Sequence, residues 1–212
     1  MYHHFTNTGF IETKLSKETM DRLRSYITRD RKGIDFRGSL AGNISESCSL
    51  TDTDNWFFNK DLGPLIDVFL KNTDGNQRIV PHVLNKDCHF KLHAFWANFQ
   101  KKHEFNPVHQ HDGVFSFVVW MKIPASYKEE IKLPFVNGAN GMCPNTFQLS
   151  YITTTGKVRS EQWNLEPEDE GTILFFDSPR LHQVYPFYTS DEERISISGN
   201  IHLDVDRVVE GQ

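Results

Sequence analysis

The run VFSFVVWMKIP, residues 114–124, restricts the fold more than any other stretch of the chain. It is apolar at odd and even positions alike, so as a strand it must be covered on both faces, between two layers of structure. Its neighbours carry the same β texture from about residue 79 onward. FKLHAFWANFQ alternates in polarity and sets Trp96 and Asn98 on one face. TFQLSYITTTGKVRSEQWNL reads as two strands joined through Thr155-Gly156, NGANG at 137–141 is turn chemistry, and GTILFFD, HQVYPFY and RISISGNIHLD complete the set. Many short strands with frequent turn signals predict an antiparallel sandwich or barrel.

Ahead of the strands the period changes. SKETMDRLRSYITRD, residues 16–30, predicts a helix with Ser16 as N-cap, Glu18 in the first turn and Met20, Leu23 and Ile27 at helical spacing. DLGPLIDVFLKN, about 61–72, predicts a second helix with Leu65, Val68 and Phe69 on its buried side. FRGSLAGNISESCSL between them reads as an ordered loop lying over the domain. The expected organisation is one domain over 1–212, with a helical support and lid region to about residue 78 and a barrel core over about 79–207.

Composition sets the outer limits. With 212 residues and 38% hydrophobic content the chain can bury a substantial core without disulfides or structural metals. Seventeen Phe within a 13% aromatic share suit a β-rich interior. A net charge of −5 with no basic block argues against nucleic-acid binding. Cys48, Cys88 and Cys143 are odd in number, widely spaced and lack a CxxC pair, which predicts reduced thiols and a cytoplasmic protein. No apolar run approaches the ~18 residues of a membrane helix, and the N-terminus lacks a signal-peptide core. His3 and His4 at the terminus read as incidental. No membrane partner is expected, and a homodimer is compatible with the composition.

Three pieces of sequence carry chemistry. HQHDG holds His109 and His111, which on a strand point the same way and can converge on one ion. His182 in SPRLHQVYP follows a strand and a Ser-Pro turn and is the natural third ligand; imidazoles suit Fe, Zn, Cu and Ni. ERISISGN places Arg194, Ser196 and Ser198 on one face and Ile195, Ile197 and Ile201 on the other. If the isoleucines pack under the helices, Arg194 points inward, where an unpaired guanidinium is costly and calls for an anion such as a carboxylate.

These residues resemble the Fe(II)/2-oxoglutarate-dependent oxygenases, and in particular small members of that superfamily from marine bacteria and cyanobacterial phages. The resemblance rests on Leu40 to Ile44 (LAGNI), Trp96-Ala97-Asn98, Asn106-Pro107-Val108-His109-Gln110-His111-Asp112-Gly113, Ser116 to Val118, Gly171, Phe175 to Ser178, His182 and Glu193 to Asn200, and so spans most of the chain. It implies a double-stranded β-helix, the jelly-roll barrel, with Fe(II) and 2-oxoglutarate as cofactors, O₂ as cosubstrate, and succinate and CO₂ as by-products. The substrate it implies is a protein side chain of the proline type or a small metabolite. The resemblance places the metal on His109, His111 and His182 and the far carboxylate of 2-oxoglutarate on Arg194 and Ser196, with Trp96, Asn98 and Tyr151 lining the cosubstrate pocket. Residues 31–60 and the loop 134–146 are the expected lid.

The chain departs from the superfamily's usual His-x-Asp…His pattern, since position 111 is a histidine and the acid, Asp112, comes one residue later. Three ligand sets stay open: His109, His111 and His182; His109, Asp112 and His182, which needs a bulge; or His111 and His182 with an open position beside Gly113. Two other classes also remain at this stage: a cupin-like metalloenzyme without 2-oxoglutarate, which leaves Arg194 unexplained, and a non-catalytic ligand-binding jelly roll.

Overall fold

The computed structural model describes residues 9–72 and 88–208; His3 and His4 lie outside them. Strand β5 (Phe115–Lys122) is buried over all but its last residue, as its two-sided apolarity requires. It lies between β8 (Thr172–Asp177) and β10 (Arg194–Val208) in a six-stranded antiparallel sheet. Strand β3 (Cys88–Gln100) and β2 (Ser47–Ser49) continue that sheet on one side, and β1 (Ile11–Lys14) closes it on the other. A second antiparallel sheet has the order β4 (Asn106–His109), β9 (His182–Val184), β6 (Thr146–Ile152) and β7 (Val158–Asn164).

Strand alternation divides the core in two. Phe115, Phe117 and Val119 join Phe95, Ala97, Phe99, Phe175, Ile197 and Ile201 on the outer face, under Met20, Leu23 and Tyr26 of α1 (Lys17–Asp30) and Ile66 and Phe69 of α2 (Gly63–Asn72). Val118 and Trp120 face inward with Leu174 and Phe176, against Phe147, Leu149 and Val184 of the second sheet. The result is a mainly β double-stranded β-helix with N-terminal helices on its outer face.

Helix α1 begins where its cap dictates: the Thr19 N–H donates to Ser16 Oγ at 3.1 Å. The second helix corrects an expectation. A π turn over Phe58–Leu62 precedes α2 and shifts its phase. The buried stripe therefore runs through Leu62, Ile66 and Phe69, and Val68 is left 46% exposed. Strand β9 is shorter than HQVYPFY suggests because Pro186 has no N–H to continue a ladder. The segment before residue 79 is also not helical throughout, since it supplies the edge strands β1 and β2. Among the described residues no helix is long and apolar enough to cross a membrane.

One buried carboxylate pins the chain that follows β9. Glu130, at the end of the single-turn α3 (Tyr127–Glu130), is fully buried and accepts from Tyr188 N, Thr189 N and Thr189 Oγ1. Hydrogen bonds to a charged group contribute about 1.5–3 kcal/mol each at most, and they share one acceptor here. Glu130→Ala should cost about 2–3 kcal/mol, read as a lowered urea midpoint at unchanged slope, with Glu130→Gln losing less; an unchanged midpoint would show that the contact adds nothing.

A candidate metal and cosubstrate centre

The site sits where the second sheet is narrowest. His109 ends β4 and His182 begins β9, and the two are direct cross-strand partners. His111 lies just beyond β4, in a turn held at both ends. Its N–H donates to Ser178 O at 3.0 Å, and Val114 N donates to Ile201 O at 2.8 Å. Gly113 within that turn has φ +103°, and a Cβ there would come within 2.7 Å of the His202 ring and 2.8 Å of Ile201 O, so the residue after Asp112 must lack a side chain. Ser178 is held in turn by Ser116 Oγ at 2.8 Å, and the Ser116 hydroxyl donates to Asn200 Oδ1 at 2.9 Å. Ser116 of β5, Asn200 of β10 and Ser178, just after β8, thus fix the backbone that presents His111.

The imidazoles converge. Potential ligand atoms of His109, His111 and His182 all lie within 4.8 Å of one another. His109 Nδ1–H donates to Pro107 O at 2.7 Å and His182 Nδ1–H donates to Arg180 O at 2.9 Å. Each bond commits the proton to Nδ1 and leaves Nε2 with a bare lone pair facing the cluster. His182 Nε2 and His111 Nε2 stand 3.2 Å apart. Imidazole–metal bonds of about 2.0–2.1 Å set two ligands at right angles roughly 3 Å apart, so the spacing suits one ion. Electrostatics favour the neutral, ligating forms. Burial pushes His111 down to about 4, with the neighbouring His109 adding to it, and holds His182 well below its ordinary value. Burial also lowers His109, against the pull of the Pro107 carbonyl. Asp112 is exposed on the turn and is not part of this cluster.

A cleft opens beside the histidines. Trp96, Asn98 and Gln100 of β3, Ser196 and Ser198 of β10, and Trp120, Phe147 and Phe176 form its walls, and Leu40, Ala41 and Gly42 lie across it. Register places Ser196 opposite Asn98 and Ser198 opposite Trp96. Two buried polar atoms here, Trp96 Nε1 and Asn98 Oδ1, have no hydrogen-bond partner. An orphaned buried group of this kind costs about 1–3 kcal/mol, which marks it as a ligand contact in waiting. The strap 40–42 is pressed onto β4: a Cβ on Gly42 would fall 1.9 Å from Asn106 Oδ1. Asn43 N donates to Phe105 O at 2.8 Å, fastening the strap's far end.

Arg194 lies behind this wall, only 1% exposed. Its guanidinium donates to Asn145 Oδ1 at 2.7 Å, Gln100 Oε1 at 2.7 Å and Tyr185 O at 2.8 Å. All three acceptors are neutral. Burial pushes Arg194 down to about 9, and the charge of Glu130 pulls the other way. Gln100 cannot turn its amide, because its Nε2 donates to Glu104 O at 2.5 Å. Sequence reading missed Gln100 and Asn145. For Gln100 the signal was present: it continues the inward parity of Trp96 and Asn98. Asn145 has a left-handed φ of +51° and ties Ala125 O and Leu165 O with its amide, which no local pattern announced. Tyr151 is the correction. It lies on β6 with its hydroxyl donating to Glu161 at 3.3 Å on the exposed β6–β7 hairpin, and it is not among the residues lining the cleft. The strand alternation that suggested it holds, but the strand carries it past the pocket.

The donor set of the site, three converging imidazoles, two of them with their protons directed away from the centre, and a buried cation without a carboxylate, fits a divalent metal and an anionic chelator. A family model described as 2OG-Fe(II) oxygenase matches residues 94–200, just over half of the chain, including the three histidines, Trp96, Asn98, Gln100, Arg194 and Ser196. No curated protein matches. Among solved structures, an oxidoreductase of the 2OG-Fe(II) oxygenase family from Burkholderia pseudomallei is similar with a TM-score of 0.53, at 11% identity over 92% of this chain and 84% of that one. The viral collagen prolyl hydroxylase of Paramecium bursaria Chlorella virus-1, in its 2OG complex, gives 0.50 at 13% identity, over 91% and 94%. A Trichoplax adhaerens prolyl hydroxylase in complex with a hypoxia inducible factor oxygen degradation domain peptide gives 0.50 at 12% identity, over 92% and 83%. At such identities the likeness is one of fold. The chain belongs to the 2OG-Fe(II) oxygenase family and is a 2-oxoglutarate-dependent dioxygenase with Fe(II) and 2-oxoglutarate as its cofactors.

Proposed function

We propose that His109, His111 and His182 hold the iron, that Arg194 and Ser196 receive the far carboxylate of 2-oxoglutarate, and that the enzyme hydroxylates a protein side chain of the proline type or a small metabolite, releasing succinate and CO₂. Bound iron supplies the activation of O₂ that couples cosubstrate decarboxylation to substrate oxidation. The chain's own groups bind, orient and shield. The backbone carbonyls of Pro107 and Arg180 aim two imidazoles. Trp96 Nε1–H and Asn98 Oδ1 offer a donor and an acceptor to whatever fills the cleft. Phe147, Phe176 and Trp120 keep water out.

The observation that carries this reading is the buried guanidinium of Arg194 on three neutral acceptors. Among the described residues no carboxylate pairs with it, so an incoming one would offset its desolvation. A carboxylate beside Ser196 would compete with Gln100 for the same Nη2–H. Three neutral histidines leave the metal's +2 charge uncompensated by protein, and a dianionic chelator balances it. The prolyl side chain as substrate is motivated by the two prolyl hydroxylases that share the fold.

Arg194→Ala should weaken 2-oxoglutarate by roughly 30- to several-thousand-fold, since loss of one partner of a buried charged contact costs about 2–5 kcal/mol. Arg194→Lys should recover only part of that, because an ammonium lacks the fork. Iron affinity without cosubstrate should stay put. The reading is read out by substrate-free succinate release and by the visible absorbance of the anaerobic Fe(II)–2-oxoglutarate chelate. Unchanged cosubstrate affinity would return Arg194 to a structural role and favour a metalloenzyme that uses no 2-oxoglutarate.

The ligand set has its own test. His111→Ala and His182→Ala should both abolish iron retention while the domain stays folded. Asp112→Ala should cost at most the 10- to 100-fold typical of groups that only orient a ligand. A larger effect for Asp112→Ala than for His111→Ala would put the carboxylate on the metal.

The depressed histidines also set a pH dependence. Their folded values lie below the unfolded value of about 6.5, so in acid the unfolded chain binds protons first. The metal-free protein should therefore lose stability as pH falls from about 6.5 toward about 4, where His111 takes its proton in the folded state. Thermal melting across that window measures it, and saturating Mn(II) should raise the whole curve while keeping its slope. A melting temperature independent of pH between those limits would contradict the burial of the cluster.

A further inference from the structure

A second, larger cavity of about 550 Å³ adjoins the cleft and shares with it Trp96, His111 and Leu40. Nothing in the reading above uses it. One wall comes from Phe36 and Ser39 ahead of the strap, Leu40 of the strap, Ser49 of β2 and Thr51 beyond it, the other from β3 and Asn200 of β10. Phe36 stacks on Trp96 at 5.3 Å between ring centroids, so the wall between the two spaces is aromatic on both sides. The polar lining is completed by hydroxyls, the amides of Asn55 and Asn200, His93 and one acid, Asp52, among apolar residues that include Leu50, Leu92 and Phe95. Among the described residues that line it there is no Lys or Arg.

We propose that this cavity receives the substrate next to the histidine cluster and selects it by charge, admitting neutral or cationic polar groups and turning anions away, with Asp52 setting the sign. The proposal rests on the dioxygenase reading of the cluster and names the substrate class it works on. Asp52 is built for this position. Its Oδ1 accepts from Tyr26 OH at 3.1 Å and Phe57 N at 3.0 Å, and its Oδ2 from Phe58 N at 2.9 Å. A carboxylate offers about four lone-pair sites, so one acceptor position remains for a ligand while the others lock the side chain in place. Two arginines lie near it without forming an ion pair with it: Arg22, whose Nε donates to Tyr26 OH at 3.2 Å, and Arg29. Arg29 reaches Thr51 O and Thr53 Oγ1 at 2.6 and 2.7 Å, and the Nε–Nη2 edge of its guanidinium is held by both oxygens of Asp30 at 2.6 Å. An anionic substrate would also approach a cluster beside which the cosubstrate's own negative charge is bound. A free amino acid would need a cation for its carboxylate, which the described walls do not supply; a residue within a peptide, or an amine, would not.

The test reads the cavity's potential without metal or cosubstrate. Ser49→Cys, made with Cys88→Ser and Cys143→Ser, puts a thiol in the wall; Cys48 beside it is buried, with its thiol pushed up to about 11 by that burial. Labelling rates are then compared for a cationic trimethylammonium methanethiosulfonate and its anionic sulfonate counterpart, each normalised to free cysteine. A single fixed charge lining the same cavity, in partly screened surroundings, should favour the cation by about tenfold or more. Asp52→Asn, checked for folding by circular dichroism, should bring the ratio back toward that of free cysteine. Because Asp52 also accepts from two backbone N–H groups, Asn55→Lys, on the same wall, serves as the second variant and should lower the ratio in the same way. A cation preference that survives both changes, or an anion that reacts as fast as the cation in the parent, overturns the proposal. Substrate-free succinate release on the unlabelled parent enzyme scores the dioxygenase reading separately, so failure of one is not mistaken for failure of the other.

Discussion

Arg194 brings a full charge into the interior and meets only dipoles there. Around it the end of β3, the start of β6 and the chain after β9 are drawn together, because each must supply an oxygen to keep the guanidinium tolerable. Burying such a group without a counter-ion destabilises the resting fold, and native domains hold only about 5–15 kcal/mol in reserve. Glu130 lies close enough to act on it and yet spends its oxygens on Tyr188 and Thr189. The arrangement is that of a preorganised receptor: its donors are fixed before the ligand comes, so little reorganisation is needed on binding. That the same strand carries Ser196 and Ser198 into the cleft, while its isoleucines close the outer core, makes β10 the element through which packing and chemistry are coupled.

Much of this was legible from residue order alone, for physical reasons that can be named. Strand β5 had to be sandwiched because it offered no polar face, and its two parities do feed two separate clusters. Arg194 was readable as inward because Ile195 and Ile197 had to go the other way. The pairing of His109 with His182 followed from the motif, although the route differs from a plain strand. Only His109 belongs to β4, and His111 is delivered by a turn that Gly113, Ser178 and Asn200 hold in place.

What failed to show in the sequence depended on long-range placement. The π turn ahead of α2 inserts a residue and turns Val68 outward, an effect invisible to a periodicity count. Tyr151 shares the inward parity of Phe147 and Leu149 but lies beyond the pocket along the strand, and parity says nothing about distance. Asn145 looks like any loop asparagine until its left-handed backbone and three side-chain bonds are seen together. Gln100 needed the knowledge that Arg194 would come to rest against it.

The shortness of β4 and β9 has a wider meaning. Four residues pair with three, in register only at Asn106–Val184 and His109–His182, at the outer margin of the smaller sheet. Two of the three imidazoles thus hang on the part of the barrel with the fewest ladder bonds, and local opening there costs less than global unfolding. An ion bridging them would act as a clasp across a seam that the backbone alone closes poorly. Heating such a molecule would separate two events, the seam parting and releasing any bound ion while the large sheet and its helices still stand. Loss of catalytic competence would then precede loss of the fold, with the barrel's lifetime as an enzyme set by a rim of seven residues and not by its core.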